Sequence, residues 1–398
     1  MLAGRAWLRE GVASCGCRSS LGGAWVLAAL VLPAAWMAAG CSRAAPAAAA
    51  RPRPAAPAGS FRPGQLSAVA AISSRAAWAV GVTTGREPLI ERWDGRAWSK
   101  VPSPDLGRGF VPLQGVAALS ARDAWAVGEI AVGGHTLVLH WDGKRWQRAR
   151  SPSPSQGGGL TAVAATSASS AWAVGSAVSS STLSTTLIEH WDGRTWKHVP
   201  SPAPEPDCGG CQFPGDSLSG VTATSASNAW AVGGTGRGAL IERWDGTSWR
   251  WVRGPAAAAP GGALEAVAAL SATDAWAVGT IDGMTLTEHW DGKTWTRVPS
   301  PSPARALAGN VLTSVATISA SDAWAAGYAG NNTLLLHWDG SSWTGVPAPS
   351  PGDEPEFHGV AATSAHSAWA VGLSGGDHTL IVHWDGITWT RQADRHRR

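Results

Sequence analysis

A basic or ionisable residue recurs seven times at one position of the sequence, each time directly before a tryptophan. The seven residues are Arg92, His140, His190, Arg243, His289, His337 and His383. Histidines in register can hold a metal ion or form a pH-sensitive surface. Metal ligands must converge closely, however, and equivalent positions of repeated units lie far apart. We therefore favour a repeated hydrogen bond or ion pair, with Glu189 or a turn aspartate as the partner, and we predict no metal site.

Two cysteines, Cys208 and Cys211, are separated by two glycines. In a cytosolic redox enzyme this spacing opens a helix of a thioredoxin-like unit, but here Pro206, Gly215 and other turn residues surround the pair. Two cysteines alone make a poor zinc site. We therefore predict a possible disulfide between Cys208 and Cys211, which an oxidising environment outside the cytoplasm would preserve.

Serine is abundant, but most serines lie at turn positions or in Ser-Pro segments. A hydrolase with a Ser-His-Asp triad would be expected to show a G-x-S-x-G nucleophile elbow, and no convincing example occurs. The sequence therefore predicts no catalytic residue and no cofactor. Catalytic residues that converge from distant repeats would escape this search, so an enzyme is kept as an alternative.

The elements that must position these residues belong to a sequence motif that recurs seven times from Leu66 onward. In the fifth copy the motif occupies residues 264–269, 274–279, 285–292 and 295–299. Three tryptophans mark each copy and account for 21 of the 25 tryptophans. They are Trp78, Trp125, Trp172, Trp230, Trp276, Trp324 and Trp369 at the first position; Trp93, Trp141, Trp191, Trp244, Trp290, Trp338 and Trp384 at the second; and Trp98, Trp146, Trp196, Trp249, Trp295, Trp343 and Trp389 at the third.

Each copy contains four short apolar runs that are rich in Val, Ile, Leu, Thr and Trp and bounded by Gly, Asp, Ser or Pro. Such runs are typical of β-strands, and none has helical spacing over a competing length. Four strands in each of seven copies predict an all-β fold, a seven-bladed β-propeller with four antiparallel strands per blade. The repeats lie near residues 66–104, 113–154, 160–204, 218–255, 264–303, 312–350 and 357–392.

Within a blade, the first strand has small residues, as the innermost position requires. We expect the second strand, Ala-Trp-Ala-Val-Gly, to stop at its glycine, which can take a positive φ. The segment Trp-Asp-Gly-x-x-Trp predicts a hairpin whose aspartate accepts hydrogen bonds from turn amides. These structural turn residues are Asp94, Asp142, Asp192, Asp245, Asp291, Asp339 and Asp385.

The tryptophans could either pack between blades or form exposed rows that bind sugars. Their regular recurrence favours packing between adjacent blades, because buried aromatic area contributes strongly to core stability. Ring closure has two possible explanations. Either residues 60–65 add a strand, or tryptophan packing alone joins the last blade to the first.

The Trp-Asp-Gly-x-x-Trp segment after a Trp-Ala-Val-Gly strand resembles the BNR or Asp-box repeat of sialidase-like propellers and the repeats of photosystem-assembly-factor propellers. The resemblance covers about residues 62–392 but departs from the Asp-box in its Asp–Trp spacing and in lacking the leading serine. It implies the fold and little about activity, since propellers host many functions. A sialidase would need an arginine cluster and a Tyr–Glu pair. The only tyrosine is Tyr328, and no acidic partner is evident near it in the sequence, so we do not expect this activity.

The N-terminal segment has the pattern of an export signal, with Arg5 and Arg9 before an uncharged apolar stretch at 21–40. It ends in Ala-Ala-Gly-Cys, which resembles the lipobox of bacterial lipoproteins and implies lipidation of Cys41. Simple cleavage or an uncleaved anchor are the alternatives. The predicted domains are a lipoprotein-type signal peptide at 1–40, an Ala/Pro-rich tether at 41–61 and the propeller at 62–394.

The charge pattern excludes one class of partner. The net charge is +3, of which residues 1–40 contribute +2, so the body lacks the basic footprint of a nucleic-acid binder. We expect an extracytoplasmic monomer, anchored by the N-terminal lipid to the outer face of the bacterial cell membrane, or secreted. The expected function is a non-enzymatic binding or scaffold module for a protein or glycan. The alternative is an extracellular hydrolase or lyase with its site in the axial funnel.

Overall fold

A computed structural model describes residues 63–392, except 108, 133, 179–183, 203–214, 258 and 376–377. The described residues belong to one compact unit, Ala55–Arg398. They form seven four-stranded antiparallel sheets and one short 3-10 turn, Ala306–Ala308. The protein is therefore a seven-bladed β-propeller, as predicted. In the described part of the chain, no helix is long and apolar enough to cross a membrane.

The strands follow one another in chain order within each blade. Blade 1 contains β1 (Gly64–Ser73), β2 (Ala76–Thr83), β3 (Pro88–Trp93) and β4 (Trp98–Lys100); blade 2 contains β5 (Leu113–Ser120), β6 (Asp123–Ile130), β7 (His135–Trp141) and β8 (Trp146–Ala149). Blade 3 contains β9 (Gly158–Ser167), β10 (Ser170–Val178), β11 (Ser184–Trp191) and β12 (Trp196–His198); blade 4 contains β13 (Ser217–Ser225), β14 (Asn228–Thr235), β15 (Gly238–Trp244) and β16 (Trp249–Trp251). Blade 5 contains β17 (Ala263–Ser271), β18 (Asp274–Ile281), β19 (Met284–Trp290) and β20 (Trp295–Arg297); blade 6 contains β21 (Asn310–Ser319), β22 (Asp322–Ala329), β23 (Asn332–Trp338) and β24 (Trp343–Gly345). Blade 7 contains β25 (Glu356–Ser364), β26 (Ser367–Ser374), β27 (His378–Trp384) and β28 (Trp389–Arg391).

The glycine of the second strand has a different role from the one expected. Gly81 lies within β2, opposite Leu66, and does not take a positive φ. A β-carbon there would collide with the carbonyl oxygen of Gln65 in β1. The other six blades repeat this close approach. The prediction that the strand ends at this glycine was wrong, because the strand continues beyond it. Glycine is needed at this position because the two backbones come too close for any side chain. The other six glycines are Gly128, Gly175, Gly233, Gly279, Gly327 and Gly372.

The close approach accompanies a β-bulge in the innermost strand. In blade 1, Leu66 pairs with Gly81 and Ala68 pairs with Val80, which leaves Ser67 without a partner residue in the ladder. The same shift occurs in the innermost strand of each of the other six blades. A bulge re-aims the side chain of its extra residue. One residue per blade is therefore placed differently from its strand neighbours.

The hairpin between the third and fourth strands is held by its aspartate. In blade 1, the Asp94 carboxylate accepts hydrogen bonds from the backbone N–H groups of Arg96 and Ala97, both at 2.9 Å. These bonds lower the pKa of Asp94, and Gly95 takes a φ of +90°. The indole N–H of Trp93 donates to the carbonyl oxygen of Ser74 at 3.0 Å, joining this hairpin to the turn between β1 and β2. The equivalent aspartates of the other blades are Asp142, Asp192, Asp245, Asp291, Asp339 and Asp385, each accepting two turn amides.

The tryptophans pack between blades, which confirms that prediction. Trp78 of blade 1 is fully buried and lies 4.9 Å from Trp141 and 5.1 Å from Trp146 of blade 2, measured between ring centroids. Each first tryptophan makes the same pair of contacts with the next blade. Offset and edge-to-face pairs of this kind stabilise beyond their buried area.

Ring closure uses no exchanged strand, because blades 1 and 7 each contain four consecutive strands. Trp369 of blade 7 contacts Trp93 at 4.8 Å and Trp98 at 5.1 Å in blade 1. Pro63, just before β1, forms a single antiparallel bridge with His378. Closure among the described residues therefore rests on tryptophan packing supplemented by local hydrogen bonds. Residues 60–62 lie outside the described part.

Candidate functional site in the axial channel

The innermost strands enclose a cavity of about 220 Å³. Each blade contributes three successive residues to its wall, beginning with the bulged residue, such as Ser67, Ala68 and Val69 in blade 1. The third residue is valine in every blade and is nearly or fully buried. The cavity therefore has a repeated apolar wall, and its chemical character depends on the bulged residues.

The bulged residue is polar in every blade, although its type changes. These seven residues, here called the polar collar, are Ser67, Gln114, Thr161, Ser219, Glu265, Thr313 and His358. The residues that flank them hardly vary: leucine or phenylalanine before, then a small residue and valine. The collar lies toward the end of the propeller that carries the turns between second and third strands, opposite the aspartate hairpins. The site thus combines a fixed frame with a varied polar ring.

Three collar residues bond to a backbone carbonyl oxygen of the next blade. Thr161 lies 2.7 Å from the Leu218 carbonyl oxygen of blade 4, to which its hydroxyl donates. The Thr313 hydroxyl donates to the Phe357 carbonyl oxygen of blade 7 at 2.8 Å. We call Thr161, Thr313 and His358 the bridging residues, since His358 makes the equivalent contact across the closure.

His358 makes two hydrogen bonds at the junction of blades 7 and 1. Its Nδ1 lies 3.0 Å from the Leu66 carbonyl oxygen, and its Nε2 lies 3.2 Å from Glu356 Oε2. A carbonyl oxygen only accepts, so the Nδ1 atom donates the bond to Leu66. His358 therefore links the first strand of blade 1 to a carboxyl group of its own strand at the point where the ring closes.

An acidic sector lies near the collar between blades 5 and 7. Burial raises the pKa of Glu265, and a hydrogen bond from Ser219 partly opposes that shift. The pKa of Tyr328 is raised by burial first, and then by the negative charges of Glu356 and Glu265. No acidic partner is evident near Tyr328 in the sequence, but two carboxyl groups lie near it in the structure. Its two carboxyl neighbours come from blades 5 and 7, distant in the chain, so local sequence could not reveal them.

The cavity wall carries little charge. Its described lining includes one acidic residue, Glu265, and one histidine, His358, and it includes neither lysine nor arginine. A site for phosphate or another anion would normally present positive charge or converging backbone N–H groups. The collar instead offers hydroxyl, amide, carboxyl and imidazole groups. This set suits hydrogen bonding to neutral groups.

The recurrent basic residues lie elsewhere, and each packs on the first tryptophan of its own blade. His140 stacks on Trp125 at 4.2 Å between ring centroids, and its Nε2 lies 2.9 Å from Asp123 Oδ1. Arg92 lies over Trp78 at 5.3 Å in the same way. Among the described residues, no three His, Cys, Asp or Glu side chains form a possible metal site. The partner of His140, Asp123, is the first residue of the second strand β6.

The other predicted residues fall into two groups. Glu189 is not the histidine's partner but is fully buried, with neither carboxyl oxygen hydrogen-bonded within the described residues. Cys41, Cys208 and Cys211 lie outside the described part of the chain. The polar collar itself was missed, although the sequence shows a polar residue after Leu or Phe357 in every first strand.

Comparison with known proteins supports the fold alone. No family model and no curated protein matches the chain. Among solved structures, it is similar to YCF48 from Cyanidioschyzon merolae, with 18% identity, a TM-score of 0.56 and coverage of 84% of this chain and 98% of that one. YCF48 bound to D1 peptide gives 15% identity, a TM-score of 0.52 and coverage of 81% and 92%. The fucose-specific lectin from Aleuria aurantia gives 13% identity, a TM-score of 0.50 and coverage of 85% and 97%. These similarities place the chain among β-propellers.

Proposed function

We propose that the protein is a non-enzymatic binding module, exported and tethered to the outer face of the cell membrane, which binds a protein or glycan at the collar end of its axial channel. The observation that carries this proposal is the polar collar. Its seven residues occupy one equivalent position, stay polar and differ in type, whereas the surrounding frame is nearly constant.

The variation of the collar distinguishes it from the packing residues. A residue required for packing in every blade keeps its type, as the tryptophans do. The collar instead changes from hydroxyl to amide, carboxyl and imidazole while projecting into a shared cavity. Such variation on a rigid scaffold is typical of binding surfaces.

The structural neighbours are compatible with both partner classes. One similar propeller is a YCF48 bound to D1 peptide, and another is a fucose-specific lectin. Because the identities are low, they support a binding module in general terms. They do not choose between protein and glycan.

The binding proposal is tested by capture from envelope extracts and by a glycan array. Both use the purified propeller, its Gln114→Ala variant and a Gln147→Ala control on the outermost strand β8. We expect the wild type and the control to retain the same partner and the collar variant to lose it. Equal retention by all three proteins would contradict binding at the collar.

One observation favours an enzyme as the second candidate. Glu265 and His358 line the channel, while Tyr328 interacts with Glu265 and Glu356 contacts His358. A glycan hydrolase would use such groups as general acid and base. Hydrolysis of chromogenic neutral glycosides by the wild type, lost in Glu356→Gln, would favour this candidate. Turnover that is unchanged in Glu356→Gln would argue against the sector.

Export and tethering rest on the N-terminal sequence. We propose that Cys41 carries the lipid, that residues 41–61 form the tether and that the exported propeller at 62–394 is monomeric. Metabolic labelling with a fatty acid should mark the wild type and not Cys41→Ala. Light scattering of the soluble propeller should give the monomer mass.

A disulfide between Cys208 and Cys211 belongs to the same proposal of an exported protein. Mass spectrometry of the protein without reductant should find the two residues joined. Free thiols at both positions in the exported protein would contradict the bond.

A further inference from the structure

We infer that the group entering the channel is a neutral, hydroxyl-rich ring the size of one sugar residue, hydrogen-bonded by Ser67, Gln114 and Glu265. This inference rests on the proposed binding function and names the ligand class of the same site. The bridging residues Thr161, Thr313 and His358 instead bond to the neighbouring blade.

The size of the cavity limits what can enter. Pockets for drug-sized ligands usually enclose about 300–1,000 Å³. The axial cavity, at about 220 Å³, is smaller. It admits a single ring or a short side chain, and it excludes a helix or an oligosaccharide lying lengthwise. A glycan would therefore present one terminal residue to the channel.

The charge of the cavity disfavours ionic ligands. Its described lining contains no lysine or arginine, so an anionic sugar or a phosphate would find no cationic partner there. The negative charges are also limited, because Glu356 already contacts His358 at 3.2 Å and burial favours the uncharged form of Glu265. A neutral ligand with several hydroxyls therefore matches this wall best.

The collar residues differ in their existing hydrogen bonds. Thr161 and Thr313 donate their hydroxyl protons to the next blade. Within the described part of the chain, no hydrogen bond of the side chains of Ser67 or Gln114 is found, and Glu265 bonds to Ser219. A primary amide offers two donors and an acceptor, and a hydroxyl offers one donor and two acceptors. The amide of Gln114 and the hydroxyl of Ser67 therefore match the donors and acceptors that the hydroxyl groups of a sugar present.

Saturation-transfer NMR tests the inference with a panel of methyl glycosides of neutral hexoses, a 6-deoxyhexose and N-acetylhexosamines. Methyl sialoside, glucose 6-phosphate and glucosamine are the charged comparisons. We expect at least one neutral glycoside to bind and to lose about tenfold in affinity in Ser67→Ala or Gln114→Ala, the effect of about one lost hydrogen bond. Gln147→Ala should leave its affinity unchanged.

A second pair of variants separates ligand contact from folding. Thr161→Val and Thr313→Val should lower the melting temperature because each removes a bond to the next blade. Ser67→Ala and Gln114→Ala should keep the melting temperature and weaken only the glycoside binding. The inference is overturned if no neutral glycoside binds, if a charged one binds better, or if Gln114→Ala binds as the wild type does.

The experiments distinguish failure of the saccharide inference from failure of the proposed binding function. If no glycoside binds, but Gln114→Ala loses a protein that the wild type captures from the envelope, the saccharide inference fails and the binding function stands. If Gln114→Ala changes neither protein capture nor glycoside binding, both the inference and the proposed function fail.

Discussion

Tyr328 is the only tyrosine of the chain, so its ionisation can be followed as a single event. Its pKa lies above the ordinary value of 10.0 because of burial and the negative charges of Glu356 and Glu265. We expect Glu356→Gln and Glu265→Gln each to lower the pKa of Tyr328, since each removes a negative charge that opposes tyrosinate formation. Tyrosinate absorbance against pH measures this shift, with circular dichroism to confirm that the fold persists. Tyr328→Phe should abolish the transition, and an unchanged pKa in both glutamine variants would contradict the electrostatic origin.

A second residue-scale prediction concerns the glycine opposite the bulge. Gly279 cannot accept a β-carbon without displacing the Ala263 backbone, so Gly279→Ala should destabilise the fold by roughly 2–4 kcal/mol. Gly345 in the outermost strand β24 has open space at the same distance and serves as the matched control. Its alanine variant should change stability by less than about 0.5 kcal/mol. Thermal unfolding of the two variants makes the comparison, and equal stability would contradict the close approach.

At the scale of elements, the third strands carry buried carboxyl groups. Burial raises the pKa of Glu189 in β11 to about 8, and those of Glu242 in β15 and Glu288 in β19 to about 7. Glu242 accepts a hydrogen bond from Ser201 at 2.8 Å, and Glu288 accepts one from the backbone N–H of Ala256 at 3.0 Å. These bonds oppose the effect of burial but do not cancel it. The folded protein therefore holds these protons more tightly than the unfolded chain does.

That difference gives stability a direction with pH. Between about pH 4.5 and 8 the unfolded chain releases these protons before the folded protein does, so the free energy of unfolding falls as pH rises. The turn aspartates have lowered pKa values and act only below about pH 4, where they destabilise the fold on protonation. His190 and His383 have pKa values lowered by burial, so they favour the opposite trend at lower pH. Above their titration range, we expect the melting temperature to be higher at pH 7 than at pH 8.5. The opposite order would contradict neutral carboxyls in the blade interfaces.

Glu189→Leu tests one of these positions, because leucine is the natural occupant of the equivalent place in two other blades, at Leu139 and Leu336. The substitution should raise stability at pH 8 by roughly 1–4 kcal/mol and flatten the pH dependence. Melting temperatures of the variant at both pH values provide the measurement. If the melting temperature of the variant changes with pH as much as that of the wild type does, Glu189 does not contribute to the pH dependence of stability.

The strands and hairpins were predictable because their signals are local and repeated. Strand 1 was only partly predictable: Leu66, Ala68 and Val69 marked a strand, but Ser67 was not recognised as a bulge. A bulge depends on how two strands pair, which the sequence of one strand does not show. Gly81 is required by the close approach of the β1 backbone and not by a turn. The acidic sector around Tyr328 was unpredictable for a related reason, since its groups come from three blades.

At the scale of the whole molecule, the junction of blades 7 and 1 differs from the other six. Elsewhere the chain itself links neighbouring blades, whereas here the partners are almost the full length of the propeller apart. No strand is exchanged across it. The tryptophan contacts match those of the other junctions, so the hydrogen bonds of His358 are a further contribution. This junction is where we expect the ring to open first.

His358→Ala should therefore weaken the molecule more than Thr313→Ala, although both remove a collar side chain that bonds to the next blade. His358→Ala removes the hydrogen bonds to the Leu66 carbonyl oxygen and to the Glu356 carboxyl group, which should lower the free energy of unfolding by about 2–3 kcal/mol. Thr313→Ala removes one neutral hydroxyl bond, which should lower it by about 1 kcal/mol. Native-state hydrogen exchange locates the effect. In His358→Ala, exchange should accelerate in β1 and β25 before the other inner strands, because a ring opened at this junction exposes those two first. If hydrogen exchange accelerates equally in all inner strands, or if Thr313→Ala has the same effect as His358→Ala, this junction is no weaker than the junctions at which the chain connects neighbouring blades.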